Sequence, residues 1–186
     1  ATVGGNLCYA APSADLSPLL IVLDAEAVIT GSTGQRAIAI AEFAQAPNKT
    51  ALADDEILVE VRIPIPTGRQ EACYRRIART SVDIALTGVA VALTLDGEGR
   101  IGQARIALGA VAPFPLRSQA TEKMLEGTVL AGVDGALLVA AGERAAADAR
   151  PISDLRASAD YRRQMVRVLT RRAIEQAVGK LMREVA

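Results

Sequence analysis

Two prolines and a glycine fall within five residues at Pro64-Ile65-Pro66-Thr67-Gly68, and the hydrophobic pattern differs on either side of them. Proline fixes φ and lacks an N–H, so neither a helix nor a central strand runs through such a stretch. Before it, Ser13, Asp15 and Pro18 are helix-start residues, with Leu16, Leu19, Leu20 and Leu23 following at helical spacing, which predicts a helix over 15–23. Two short runs, 26–30 and 36–40, flank Gly31-Ser32-Thr33-Gly34 and read as a hairpin. Residues 42–55 are polar and irregular. Ile57, Val59, Val61 and Ile63 then alternate with Leu58, Glu60 and Arg62, a strand with one mostly polar face. Beyond the break the spacing predicts strands over 74–80, 86–95 and 101–111, the last two joined by Asp96-Gly97-Glu98-Gly99. After Pro113 and Pro115 the pattern turns helical, over 116–126, 133–149 and 160–185, the last with Tyr161, Met165, Val168, Leu169, Ile174, Ala177, Val178 and Leu181 on its apolar stripe. Strands followed by helices indicate an α+β fold in two parts, 1–66 and 70–186.

Composition excludes several kinds of chemistry. With 51% apolar residues and 21 basic against 21 acidic side chains, the chain is neither disordered nor a general nucleic-acid binder. No apolar run is long enough to span a membrane. There is no histidine, which removes the commonest general base, the usual serine and cysteine triads and most zinc sites. Cys8 and Cys73 are too few to hold an iron–sulfur cluster by themselves and fit a reduced, cytoplasmic setting. Redox or group-transfer work in such a chain is expected to be carried by a cofactor. The start at Ala1, without a methionine, is expected of a processed or cut chain.

At the opening, Thr2-Val3-Gly4-Gly5-Asn6 is either a plain turn or a place where backbone N–H groups approach an anion without a Cβ in the way. It is neither a Walker loop nor a dinucleotide fingerprint, which need further residues at fixed spacing. That stretch, with Ala11-Pro12-Ser13-Ala14-Asp15-Leu16, Asp55-Glu56-Ile57-Leu58-Val59-Glu60, Asp83-Ile84-Ala85, Ala104-Arg105-Ile106-Ala107-Leu108-Gly109 and Pro151-Ile152-Ser153-Asp154-Leu155-Arg156, resembles the FAD-binding medium subunit of molybdenum hydroxylases. This family takes in carbon monoxide dehydrogenase-like enzymes and the flavin domain of xanthine dehydrogenase. The likeness runs in order along nearly the whole chain.

The resemblance implies the second half of a two-part FAD-binding module, followed by a C-terminal antiparallel sheet with a three-helix bundle. The family's first glycine-rich FAD loop precedes this point, so the chain corresponds to the C-terminal part of such a subunit. By resemblance, Gly4, Gly5 and Asn6 contact the FAD pyrophosphate, with Thr2 at the edge. Asp15 contacts FAD near its polar linker, although as a bare residue it reads equally as a helix-start side chain. Leu58 and Ile84 border the flavin ring, and Arg75 stands where the family has a lysine near it. Residues 162, 163, 167, 171 and 172 are arginines that make a basic face, solvated or docked on a partner. The function implied is electron transfer from a 2Fe–2S small subunit through FAD to an external acceptor, beside a molybdopterin-binding large subunit, in a cytoplasmic dimer of heterotrimers. The alternative is an assembly or scaffold piece that no longer binds flavin.

Overall fold

A computed structural model describes residues 2–183. In chain order the elements are α1 (Val3–Tyr9), α2 (Leu16–Val22), β1 (Glu26–Gly31), β2 (Gly34–Ala39), α3 (Ile40–Phe43), β3 (Ala44–Ala46), β4 (Lys49–Thr50), β5 (Ile57–Arg62), β6 (Gln70–Ile77), β7 (Thr87–Leu95), β8 (Ile101–Gly109), β9 (Leu116–Arg117), α4 (Gln119–Leu125), a 3₁₀ turn (Leu130–Gly132), α5 (Gly135–Asp148) and α6 (Ala159–Arg183). The strands form three antiparallel sheets ordered β2-β1-β5, β3-β4 and β6-β7-β8-β9.

The four-stranded sheet is the centre of the molecule, and β7 shows how the sequence builds it. Successive side chains on a strand point to opposite faces. In Val89-Ala90-Val91-Ala92-Leu93 the large residues therefore fall on one face and the alanines on the other. Val89, Val91 and Leu93 join Ile106 and Leu108 under α5 and α6, packed on Leu138, Ala141, Ala145, Leu169, Ala173 and Ile174. Ala90, Ala92 and Ala107 make a flat face on which α2 lies, with Leu20, Ile21, Val22, Ile29 and Phe43 completing a second core. The second core thus draws on residues from both sides of the Pro64–Gly68 break.

Four expectations are corrected. Residues 2–6 are not a turn: Thr2 caps α1, and both glycines are helical. Leu116 and Arg117 do not begin a helix but pair with Leu108 and Ala107 at the sheet edge, and α4 follows from Gln119. In β5 the register to β1 shifts between Val28 and Ile29, so that Leu58 and Val61 both turn to the second core. Ile57 and Val59, expected inside, are 64% and 49% exposed. Arg162 leaves the expected basic face of α6 and is buried, while Tyr161 is exposed. The expected end of the last helix at Val185 lies outside the described residues.

Candidate functional site

The site begins at α1. Thr2 is extended, and its Oγ1 accepts the Gly5 N–H at 3.0 Å, while its carbonyl takes the Asn6 N–H at 3.0 Å. The first N–H groups of a helix, here those of Val3 and Gly4, have no carbonyl within the helix to bond. Neither glycine has a positive φ, so neither is required by a left-handed backbone. The two differ. A Cβ on Gly5 would stand 2.8 Å from Thr2 Oγ1, against the cap, whereas a Cβ on Gly4 would meet nothing within 4 Å among the described residues outside the helix backbone. The space over Gly4 is open.

Asn6 ties α1 to α2. Its Oδ1 accepts the Leu16 N–H at 3.3 Å, which leaves its amide NH₂ to donate elsewhere. This bond satisfies the first N–H of α2 from outside the helix. Asp15 occupies the N-cap position of α2, but with helical backbone angles and no capping hydrogen bond. Its carboxylate is held from β6 instead: the Tyr74 hydroxyl donates to Oδ1 at 2.7 Å, and Arg76 Nη1 lies 3.4 Å from Oδ2. Burial first, then the Asp15 carboxylate, push the Tyr74 phenol far above its ordinary value, so it remains a donor.

Arg76 also donates to the carbonyls of Asp83, at 2.6 Å, and Ser81, at 2.7 Å, pinning the loop that carries Ile84. Hydrogen bonds from Arg79 and from the Ile84 N–H hold the Asp83 carboxyl below the usual carboxylate range. Asn6, Asp15, Asn48, Arg76, Asp83 and Ile84 together line a groove of about 450 Å³. Ile84 also borders a second concavity of about 330 Å³, with Ala85, Pro113, Ile152, Asp154 and Arg162 around it. Arg162 is 5% exposed and bonds the carbonyls of Leu86 and Ala110 and the carboxylate of Asp154.

Of the residues named from the sequence, the structure brings Asn6, Asp15 and Ile84 to one groove, with Thr2, Gly4 and Gly5 one turn back along α1. It does not bring the other two. Leu58 packs against the second core beside β1. Arg75 falls on the opposite face of β6 from Tyr74 and Arg76 and is exposed. Sequence reasoning missed Tyr74 and Arg76. The signal was present in the strand's alternation, which sets Ala72, Tyr74 and Arg76 on the face away from Cys73.

Residues 1–66 match the family model described as the FAD binding domain in molybdopterin dehydrogenase, and residues 72–177 match the CO dehydrogenase flavoprotein C-terminal domain. The chain belongs to the FAD-binding medium subunits of the molybdenum hydroxylases. Within this family it is 36% identical over 179 residues to the carbon monoxide dehydrogenase medium chain of Afipia carboxidovorans, covering 96% of this chain and 61% of that one. It is 33% identical over 182 residues to the putative xanthine dehydrogenase FAD-binding subunit of Escherichia coli strain K12, again over 96% and 61%. Among solved structures, carbon monoxide dehydrogenase from Hydrogenophaga pseudoflava superposes with a TM-score of 0.89 at 31% identity, over 97% of this chain and 61% of that one. Quinoline 2-oxidoreductase from Pseudomonas putida 86 superposes with a TM-score of 0.88 at 32% identity, over 97% and 61%. The medium-subunit chain described here thus spans about 61% of the length of these relatives. The gap between the two matched regions, 67–71, falls at the proline-rich break, and the FAD-binding region holds α1, Asn6 and Asp15.

Proposed function

We propose that this chain holds FAD along α1 and the adjoining groove, and that its complete protein passes electrons from a 2Fe–2S subunit through FAD to an external acceptor. The observation that carries the reading is the match of residues 1–66 to an FAD-binding domain. The donor set supports it. The free N–H groups of Val3 and Gly4 suit a pyrophosphate oxygen, and the open space over Gly4 lets that oxygen approach the backbone. Asn6 retains its NH₂ as a further donor, with Thr2 and Gly5 holding the cap that shapes this end of the helix. Asp15 is an acceptor for a hydroxyl of the cofactor. Ile84 is the apolar side chain that the groove offers to the ring, and Arg76 rather than Arg75 is the guanidinium there.

Bound FAD supplies the redox centre that this histidine-free chain lacks; the protein's own part is to bind, orient and shield it. The partners inferred are a molybdopterin-binding large subunit and a 2Fe–2S small subunit, in a dimer of heterotrimers. Residues 1–66 and 70–186 are inferred to be its two units. No helix among the described residues is long and apolar enough to cross a membrane.

The test is to purify the complete protein with its accompanying subunits and assay flavin released on denaturation. One FAD per copy of this chain is expected. A preparation free of flavin that still assembles with its partners contradicts the reading and leaves the scaffold role.

A further inference from the structure

Asp15 is a carboxylate of the groove that nothing in its own helix orients. Asp15 makes no capping bond: its backbone is already helical, the residue three on, Pro18, has no N–H to offer, and the Leu16 N–H goes to Asn6. Both oxygens are instead approached from β6, by the Tyr74 hydroxyl at 2.7 Å and by Arg76 at 3.4 Å. Those two donors are themselves fixed. The Tyr74 ring packs against the second core, and its hydroxyl passes over Gly88, where a Cβ would overlap it. Arg76 spends further N–H groups on the carbonyls of Asp83 and Ser81. An ionised carboxylate offers about four lone-pair positions, so two donors leave room for a ligand. The Asp15 side chain is 40% exposed, on the groove.

We propose that Tyr74 and Arg76 are positioning residues for Asp15: they lock its carboxylate in the rotamer that turns the remaining lone pairs into the groove. The proposal rests on the flavin reading above. It makes ligand binding by the first part of the chain depend on a strand of the second. It also gives Gly88 a reason, as the position that leaves room for the Tyr74 hydroxyl.

The experiment is a double-mutant cycle on FAD dissociation in the complete protein, with Tyr74→Phe, Asp15→Asn and the pair together. Tyr74→Phe keeps the ring and deletes one hydrogen bond to a charged group, so FAD binding is expected to weaken roughly five- to tenfold. In the Asp15→Asn background the same change is expected to shift affinity less than about twofold, because no oriented carboxylate is left to lose. A purely structural loss acts equally in both backgrounds; equal effects, or none with Asp15 intact, overturn the proposal. Should Tyr74→Phe fail to fold, Arg76→Lys serves in its place. It keeps the charge but loses the fork that spans Asp15 and the two carbonyls, and the same non-additive pattern is expected. Wild-type protein that binds no FAD overturns the flavin reading and this proposal together, an outcome distinct from an additive cycle on a wild type that binds.

Discussion

Pro18 of α2 stands on Gly109 of β8, so closely that a Cβ at residue 109 would lie 2.8 Å from Pro18 Cγ. The contact lies where the first part of the chain meets the sheet of the second. The face beneath it is made of alanines, Ala90, Ala92 and Ala107, which let a helix approach closely. Gly109→Ala is expected to lift α2 and destabilise the protein by about 1–3 kcal/mol, the usual cost of overpacking a fitted contact. Chemical denaturation of wild type and variant measures it; unchanged stability means the contact relaxes freely.

Arg162 and Asp154 join α6 to the loop before it and to the ends of β7 and β8. Removing the guanidinium strands the carbonyls of Leu86 and Ala110 and leaves Asp154 with only the longer ion pair to Arg156, at 3.6 Å. Arg162→Met is expected to cost about 2–4 kcal/mol, most of it from polar groups left unpaired. Thermal denaturation checks it, and a loss below about 0.5 kcal/mol contradicts the account.

The same clamp sets a pH dependence. Hydrogen bonds from the Arg156 and Ala157 N–H groups, and then from Arg162, hold the Asp154 carboxyl at about 2, against an ordinary value of 3.8. A carboxyl depressed on folding contributes stability that is present in full above its unfolded value and is lost as pH falls through the folded one. The stability gap between wild type and Asp154→Asn is therefore expected to be constant near neutrality and to close as pH falls from about 4 towards about 2. A gap that persists to the acid end contradicts the assignment.

Much of this fold is legible in the sequence because periodicity and turn chemistry agree there. The hairpin at Gly31–Gly34, the Asp96–Gly99 turn, the Val89–Leu93 strand and the two long helices all fall where the spacing put them. The failures have tertiary causes. The bulge in β5 inverts the expected faces of Ile57, Val59 and Leu58, and a bulge is set by the partner strand rather than by the strand's own alternation. Leu116 and Arg117 have helical neighbours, yet β8 offers an unpaired edge and takes them. Arg162 looked like one of several surface arginines; carbonyls just beyond the ends of two distant strands draw it inside. At the site, Asp15 makes no capping bond, and Asn6, ten residues back along the chain, takes the first N–H of α2 instead.

The most direct test lies at Gly4. Among the described residues outside its own helix backbone, its side-chain position meets no atom within 4 Å; its φ is not positive, and it sits in the first turn of α1. Gly4→Val therefore takes nothing from the fold, and the flavin-free protein is expected to keep its stability within about 0.5 kcal/mol. If the open space over Gly4 is where the cofactor's pyrophosphate meets the backbone, the same valine blocks it. FAD dissociation measured in the complete protein is then expected to weaken about tenfold or more, equivalent to about 1.4 kcal/mol. Wild-type FAD affinity in a folded Gly4→Val protein would contradict the central claim that this chain holds FAD at the start of α1.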